Sequence, residues 1–449
     1  MPRQRPRKTG NPDLRSRSQV PTPENAELEA KLVQWLQPQN FMPLKEKQGR
    51  SEEKLRSRIL TLPVMVAIVV GLVYRKIPSL AEVIRQLELH GLLWLDPTKV
   101  SVSALSKRLR KVPAKLFVEL WETVRERMEQ EPVEQVLSKD WQGLREKFRV
   151  IWIADGSTLE ELRKRLKIRC AAVESKLGGR MMMIVELVTL RPVQMQYEIN
   201  PHSNDKIHCD WLLSQLPKGG LMVFDLGFVK FPFFDAFTDS QRFFVTRLRE
   251  KTAYTTQRVL AQGQRYRDEI IDMGQYRSNP CHHPVRLVSV QWNQTWYHYL
   301  TNVLDPTLLS APQVCDLYRR RWRIEDAFSL TKRLLGLAYL WVEDSNGVEI
   351  QIVATWIFYA VLNDLCAQMS VALRQPLETI SFEMVFRGLY HYAQARLKDS
   401  SVQLIPFFTQ HAKLLGLLKA RRKRHRLRDA QWAEIWQELQ GANPCYSFV

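Results

Sequence analysis

Val150-Ile151-Trp152-Ile153-Ala154-Asp155-Gly156-Ser157 decides how this chain reads: five apolar residues without a polar break, then an acid and a glycine. A strand with one wet face alternates apolar and polar residues, so an unbroken run of this length fits a strand covered on both faces. Leu221-Met222-Val223-Phe224 repeats the pattern and leads into Asp225-Leu226-Gly227-Phe228. Two such strands point to an α/β sheet. Active sites of open α/β sheets gather at the carboxyl ends of strands, which places Asp155 and Asp225 where chemistry is expected. An Asp that closes a strand also serves as a helix cap or turn former, so neither acid alone decides the matter.

A third acid lies on a helical stretch downstream. With about 100° of turn per residue, Tyr318, Arg321, Glu325 and Lys332 fall within roughly 60° of one another. Leu317, Ile324, Phe328 and Leu335 lie at roughly 80° to 120° from Tyr318, an apolar face able to dock the helix on a core. The helix would thus be anchored while presenting a polar row. Salt-bridged surface helices also carry Glu and Arg at turn spacing, and the two upstream acids are what favour a site.

The string Tyr318-x2-Arg321-x3-Glu325-x6-Lys332, preceded by Asp155 and by Asp225-x-Gly227-Phe228, resembles the DDE transposases of bacterial insertion sequences. Within them it is similar to the family-four branch with the Tyr-Arg-Glu-Lys signature. The likeness covers roughly residues 55 to 375. It implies an RNase H-like catalytic core, in which a mixed sheet carries the first two acids and a later helix brings the third. It also implies cleavage at transposon ends and strand transfer into target DNA by a cut-and-paste route.

Phosphodiester displacement of that kind uses two metal ions about 3.5–4 Å apart. Mg²⁺ or Mn²⁺ prefers carboxylate oxygens and water. Asp155 is the expected shared ligand, with Asp225 and Glu325 completing the two sites. Three acids held close without metal repel one another and hold on to protons. By the same resemblance Tyr318, Arg321 and Lys332 hold phosphates around the scissile bond, and Trp322 matches a tryptophan that steadies a flipped nucleotide. Trp322 is equally compatible with core packing. The implied partners are the terminal inverted repeats and target DNA, held by a homodimer. A metal-dependent nuclease on the same fold, or a retired transposase kept for DNA binding, are the alternatives.

Composition agrees with a polyanion partner. The 449 residues carry a net charge of +19 and an apolar fraction of 45%, and the pI is near 9.7, the footprint of a polyanion binder, which by itself does not separate DNA from RNA or an anionic membrane. Six cysteines without a Cys-x2-Cys pair read as the reduced thiols of a cytoplasmic protein, and the resemblance implies a bacterial, nucleoid-associated one. Cys281-His282-His283 lacks a second ligand pair and reads as a loop. The apolar stretch from Ile59 to Tyr74 contains Thr61 and Pro63 and falls short of the ~20 residues of a bilayer span, so a buried helix and no membrane are expected.

Along the chain, residues 1–50 read as a flexible basic arm rich in Pro and Arg, including Arg3, Arg5, Arg7, Lys8, Arg15 and Arg17. Residues 51–140 read as a helical DNA-binding domain, with one helix capped by Ser79 and another starting near Ser103. Lys107, Arg108 and Arg110 on the latter suit a recognition helix. Residues 141–248 form the first part of the core, including a hairpin from Met181–Leu190 and Val193–Ile199, a helix over Asp205–Leu216 and a strand over Arg242–Leu248. Residues 249–312 read as a β-rich insertion, with Val285, Leu287, Val290 and Trp292 before an Asn293-Gln294 turn and Trp296 beyond it. Residues 313–375 return to the core, ending in the apolar helix Val348–Met369. Residues 376–449 form a basic C-terminal helical region containing Arg421 to Arg428.

Overall fold

The fold is built on one nine-stranded mixed sheet, seen in a computed structural model of the chain. It describes residues 24–41, 59–77, 79–132, 134–137, 139–159, 179–274, 276, 278–292, 294–337, 340–342, 344–419, 433–435 and 437. The Arg-rich arm and the Arg421–Arg428 run lie outside the described residues, as do the basic residues Arg163, Lys164, Arg165 and Lys167 that follow Asp155 in the sequence.

The strands are β1 (Ile151–Thr158), β2 (Arg180–Glu186), β3 (Pro192–Glu198), β4 (Leu221–Phe224), β5 (Phe243–Arg247), β6 (Tyr254–Gln262), β7 (Tyr266–Met273), β8 (Val285–Trp292) and β9 (Thr295–Thr301). Their spatial order is β3-β2-β1-β4-β5-β9-β8-β7-β6. β1, β4 and β5 run parallel, and the other neighbours pair antiparallel.

The apolar runs have the cause expected of them. Ile151 and Ile153 of β1, with Leu221 and Val223 of β4, enter one core. Ala154, Met222 and Phe224 enter a second core on the opposite face. Successive side chains of a strand point to opposite faces, so a strand in the middle layer must be apolar at every position. The second core is aromatic: Phe224 touches Phe228, Phe233, Phe234, Phe237 and Phe244, with ring centroids 5.4 to 6.4 Å apart.

The helices preceding the sheet are α1 (Ala26–Leu36), α2 (Leu62–Tyr74), α3 (Leu80–His90), α4 (Val102–Lys111), α5 (Lys115–Gln130) and α6 (Lys139–Lys147). Between and after the strands lie α7 (Cys209–Gln215), α8 (Phe231–Asp239), α9 (Ala311–Arg320), α10 (Arg323–Ser329), α11 (Ser345–Ala372), α12 (Phe382–Lys398) and α13 (Leu404–Gln410). α11 is the hub: α2, α4, α5, α12 and α13 all pack on it, and it meets β3. Trp356 from α11 donates its indole N–H to Met181 Sδ, 2.9 Å away.

The helices between 62 and 130 therefore share the core of the α11 layer instead of standing apart as a separate body. Asn346, at the start of α11, makes the join: its side chain donates to Leu109 O and Val112 O and accepts from Ala114 N. α2 is buried throughout most of its length, as its composition requires. Among the described residues only α11 is long and apolar enough to cross a membrane, and its most apolar window is wholly buried within the protein.

Ser79 caps α3 as expected, accepting from Glu82 N. α4 begins earlier than the sequence suggested, because Ser101, not Ser103, accepts from Ala104 N. On α4, Lys107 and Arg110 are exposed, but Arg108 is not. Its guanidinium is buried and donates to Leu60 O at 3.0 Å. The expectation that all three face DNA is corrected for Arg108, which the helix turns inward beside Leu105 and Leu109.

The β6–β9 segment extends the main sheet through the β5–β9 pairing. It holds an ion pair wholly removed from solvent: Arg286 Nε and Nη2 donate to Asp268 at 2.8 and 2.6 Å, and Nη1 donates to Leu309 O. The Cys281-His282-His283 stretch is a loop pinned to α8, where His282 N and His283 N both donate to Asp235 Oδ1.

Candidate active site

Backbone register brings the first two acids together. β1 and β4 pair in parallel as far as Ala154 opposite Phe224, so Asp155 and Asp225 are the next residues on neighbouring strands. Asp225 ends its strand as expected and leads into the 3-10 turn Leu226–Phe228. Asp155 does not end β1, which continues through Thr158 by antiparallel pairing with β2. The strand pair splits at the acids, one strand turning away and the other carrying on.

The 311–337 segment crosses this split as a broken helix. α9 ends at Arg320, and the links across the break are of i→i−3 type: Arg321 N to Tyr318 O, Ile324 N to Arg321 O and Glu325 N to Trp322 O, each 3.1 Å. α10 then gives way to a π-helical turn over Leu330–Leu334, closed by Leu335 N donating to Leu330 O at 3.0 Å. Thr331 Oγ1 donates back to Ala327 O and Phe328 O, a side-chain bond of the kind that bends helices. Tight and wide turns interrupting one helix are frequent at functional sites. The apolar face nevertheless docks as expected, with Leu317, Ile324, Phe328 and Leu335 all buried.

The polar row lands on the two strands. Tyr318 OH donates to Asp225 Oδ1 at 2.9 Å. Arg321, only 3% exposed, donates to Asp155 Oδ2 at 2.6 Å and lies 3.8 Å from Asp225 Oδ1. Lys332 Nζ donates to Ser157 Oγ at 2.5 Å and to Thr158 O at 2.6 Å. Glu325 is exposed on α10. Trp322 is 58% exposed, which rules out core packing, and its ring lies 5.0 Å from the Arg321 guanidinium.

The acids feel one another. Asp155 is pushed up to about 6, first by burial, with Arg321 and the Gly156 N–H opposing and the charges of Asp225 and Glu325 adding. Glu325 is also raised, by burial first and then by Asp225 and Asp326 against Arg321. Burial also raises the Tyr318 phenol, and the carboxylate it serves raises it further, so it stays a donor. Asp155 and Asp225 differ in access, at 15% and 42% side-chain exposure.

A fourth carboxylate, which sequence reasoning assigned only to a helix start, flanks the same spot. Asp205 pairs with Arg180. A Cβ on Gly227 would collide with the Asp205 carboxylate, and one on Gly156 would meet the Arg180 guanidinium. Both glycines follow the acids so closely that only a missing side chain lets this pair approach. The Asp205 carboxyl is held above its ordinary range by burial first, with Arg180 and His208 opposing and the charge of Asp225 adding. Arg180 and Asp205 lie far apart in the sequence, and no local pattern announces the pair.

Oxygen donors at Asp155, Asp225 and Glu325 have the chemistry of a hard divalent cation site. Among the described residues no three His, Cys, Asp or Glu side chains gather around one point. A cationic group already lies between the first two acids, the guanidinium of Arg321. The donor set and its mutual repulsion fit a metal, and holding one requires the acids to turn from Arg321.

Residues 146–361 match the family model described as Transposase DDE domain. The match spans β1 through most of α11 and supports a DDE transposase, a metal-dependent class; the mixed sheet is consistent with an RNase H-like domain of that kind. No curated protein matches the chain.

Proposed function

We propose that this protein is a cut-and-paste DNA transposase that cleaves at the ends of its own element and transfers the freed strands into target DNA. The observation that carries this is the side-by-side placement of Asp155 and Asp225 where β1 and β4 part, with Glu325 within electrostatic reach on the crossing helix. Binding alone has no use for three carboxylates held within electrostatic reach of one another. The +19 net charge supports a polyanionic partner.

Asp155, Asp225 and Glu325 would hold the divalent ions, Mg²⁺ or Mn²⁺, whose charge activates the attacking oxygen and steadies the leaving one. The rest falls to the chain's own groups. Tyr318 orients Asp225 through its phenol. Arg321, freed from Asp155, presents its planar fork to a phosphate oxygen, for which it is suited as a bidentate donor. Lys332, held over Ser157 and Thr158, supplies a point charge further along the same strand. Trp322, exposed beside Arg321, offers its ring face to an unstacked base. Pairing two element ends calls for two protomers on the DNA. The family-four signature Tyr318-Arg321-Glu325-Lys332 is part of this reading.

The test pairs cleavage with joining. Asp225→Ala is expected to abolish Mg²⁺-dependent cutting of labelled element ends while leaving end binding intact; retained cutting sinks the site assignment. Wild-type protein given labelled ends and a plasmid is expected to yield joined product. Cutting without joining would make it a nuclease instead.

A further inference from the structure

A cavity of about 270 Å³ is lined by Lys206, Lys230 and Arg249 together with Phe231, Thr252 and Asn279. No Asp or Glu lines it. A second cavity, near Met128, mixes Arg145 and Arg191 with Glu129, Glu186 and Asp364 and so carries no net preference for an anion. At the first cavity, none of the three cations forms an ion pair with a carboxylate among the described residues.

Its walls come from both parts of the sheet. Lys206 follows Asp205, whose carboxylate sits against Gly227. Lys230 lies five residues beyond Asp225, a span of at most roughly 18 Å fully extended, and the 3-10 turn Leu226–Phe228 shortens it. Arg249 and Thr252 come from the segment between β5 and β6, and Asn279 from the loop before β8. The two parts are locked together: Phe231 lies over Gly274, whose φ of +87° and lack of a side chain admit the ring. The cavity is therefore shaped before any ligand arrives.

Three cations converging on a preformed polar recess, with hydroxyl and amide donors beside them, match a phosphodiester. We propose that this cavity is a phosphate subsite that grips the DNA strand a few nucleotides from the phosphate presented to Asp155 and Asp225. Lys230 follows Asp225 by five residues and Lys206 follows the Asp205 that sits against Gly227, which keeps the cavity within the span of a few nucleotides at roughly 3.4 Å each. This rests on the transposase reading and assigns the path of the strand toward the β6–β9 extension. It also explains why, among the described residues, these cations have no carboxylate partner while Arg180 and Arg321 are tied to acids.

The test compares two variants with the same loss of charge. One is Lys206→Gln with Lys230→Gln and Arg249→Gln. The other is Lys115→Gln with Lys218→Gln and Lys398→Gln, all exposed and away from the cavity. All six positions lie on the surface, so thermal melts should match wild type. Binding to a short duplex of arbitrary sequence is measured over a salt series. The cavity variant is expected to bind several-fold more weakly at low salt, with a log K against log salt slope less negative by about 1 than that of the control variant. Equal slopes for the two variants overturn the subsite while leaving the transposase reading intact. Wild-type protein that binds no duplex at all overturns both. Inorganic phosphate that raises the melting temperature of wild type and not of the cavity variant, with equal DNA slopes, would mark a free-anion site and also refute the proposal.

Discussion

Asp155→Asn should stabilise the metal-free protein at alkaline pH and leave it unchanged in acid. Burial and the neighbouring acids raise Asp155 from an ordinary 3.8 to about 6. That difference corresponds to about 3 kcal/mol, and the 15% exposure of the side chain leaves little solvent screening to discount. The sign follows from proton binding. Between pH 3.8 and about 6 the folded chain holds a proton that the unfolded chain has released, so stability falls as pH rises through that window. Below it the acid is neutral in both states and costs nothing; above it the full penalty applies. Asn mimics the neutral acid and keeps an oxygen for Arg321. Urea unfolding in a chelator at pH 8 should therefore show a gain of up to about 3 kcal/mol for the variant, vanishing near pH 3.5. Adding Mg²⁺ should stabilise wild type more than the variant. A gain that is equal at both pH values, or a loss at pH 8, refutes the view that burial, with the neighbouring acids adding, holds the Asp155 carboxyl above its ordinary range.

Other outcomes follow from single contacts. Arg286→Met should cost about 3–5 kcal/mol by stranding the buried Asp268 charge, whereas adding Asp268→Leu should restore most of it, read by urea midpoints. Trp322→Ala should leave stability within about 0.5 kcal/mol, yet slow end processing roughly 5- to 150-fold if the ring holds a base. Arg108→Gln should lower stability by about 1–3 kcal/mol without changing the salt slope of DNA binding, while Arg110→Gln, on the exposed side, should make that slope less negative by about 1.

Much of this geometry was written in local patterns. The double-sided apolar runs before Asp155 and Asp225, the hairpin over residues 180–198 and the buried face of the 317–335 helix all follow from side-chain periodicity, which tertiary packing did not override here. The break at Arg321–Trp322 and the π turn over Leu330–Leu334 escaped, because a wheel of constant 100° steps has no place for a tightened turn followed by a widened one. The β6 strand escaped for another reason. It lies at the sheet edge, mostly exposed, and so carries no apolar alternation to read. Charged residues were read as outward-facing by default, which misplaced Arg108 and concealed the Asp268–Arg286 pair. Arg321 rests on Asp155 in the DNA-free chain, a contact across 166 positions that no spacing rule reports.

The unbroken backbone ladder from β4 to β6 has a metric consequence. Five strand spacings separate them, and at about 4.8 Å each the outermost hairpin stands roughly 24 Å from the acids. That is about seven base pairs of rise. Hydrogen bonds, not a hinge, set the interval, so on the proposed reading the sheet works as a ruler: DNA touching the far edge would be measured off at a constant number of base steps from the bond that Asp155 and Asp225 would cut.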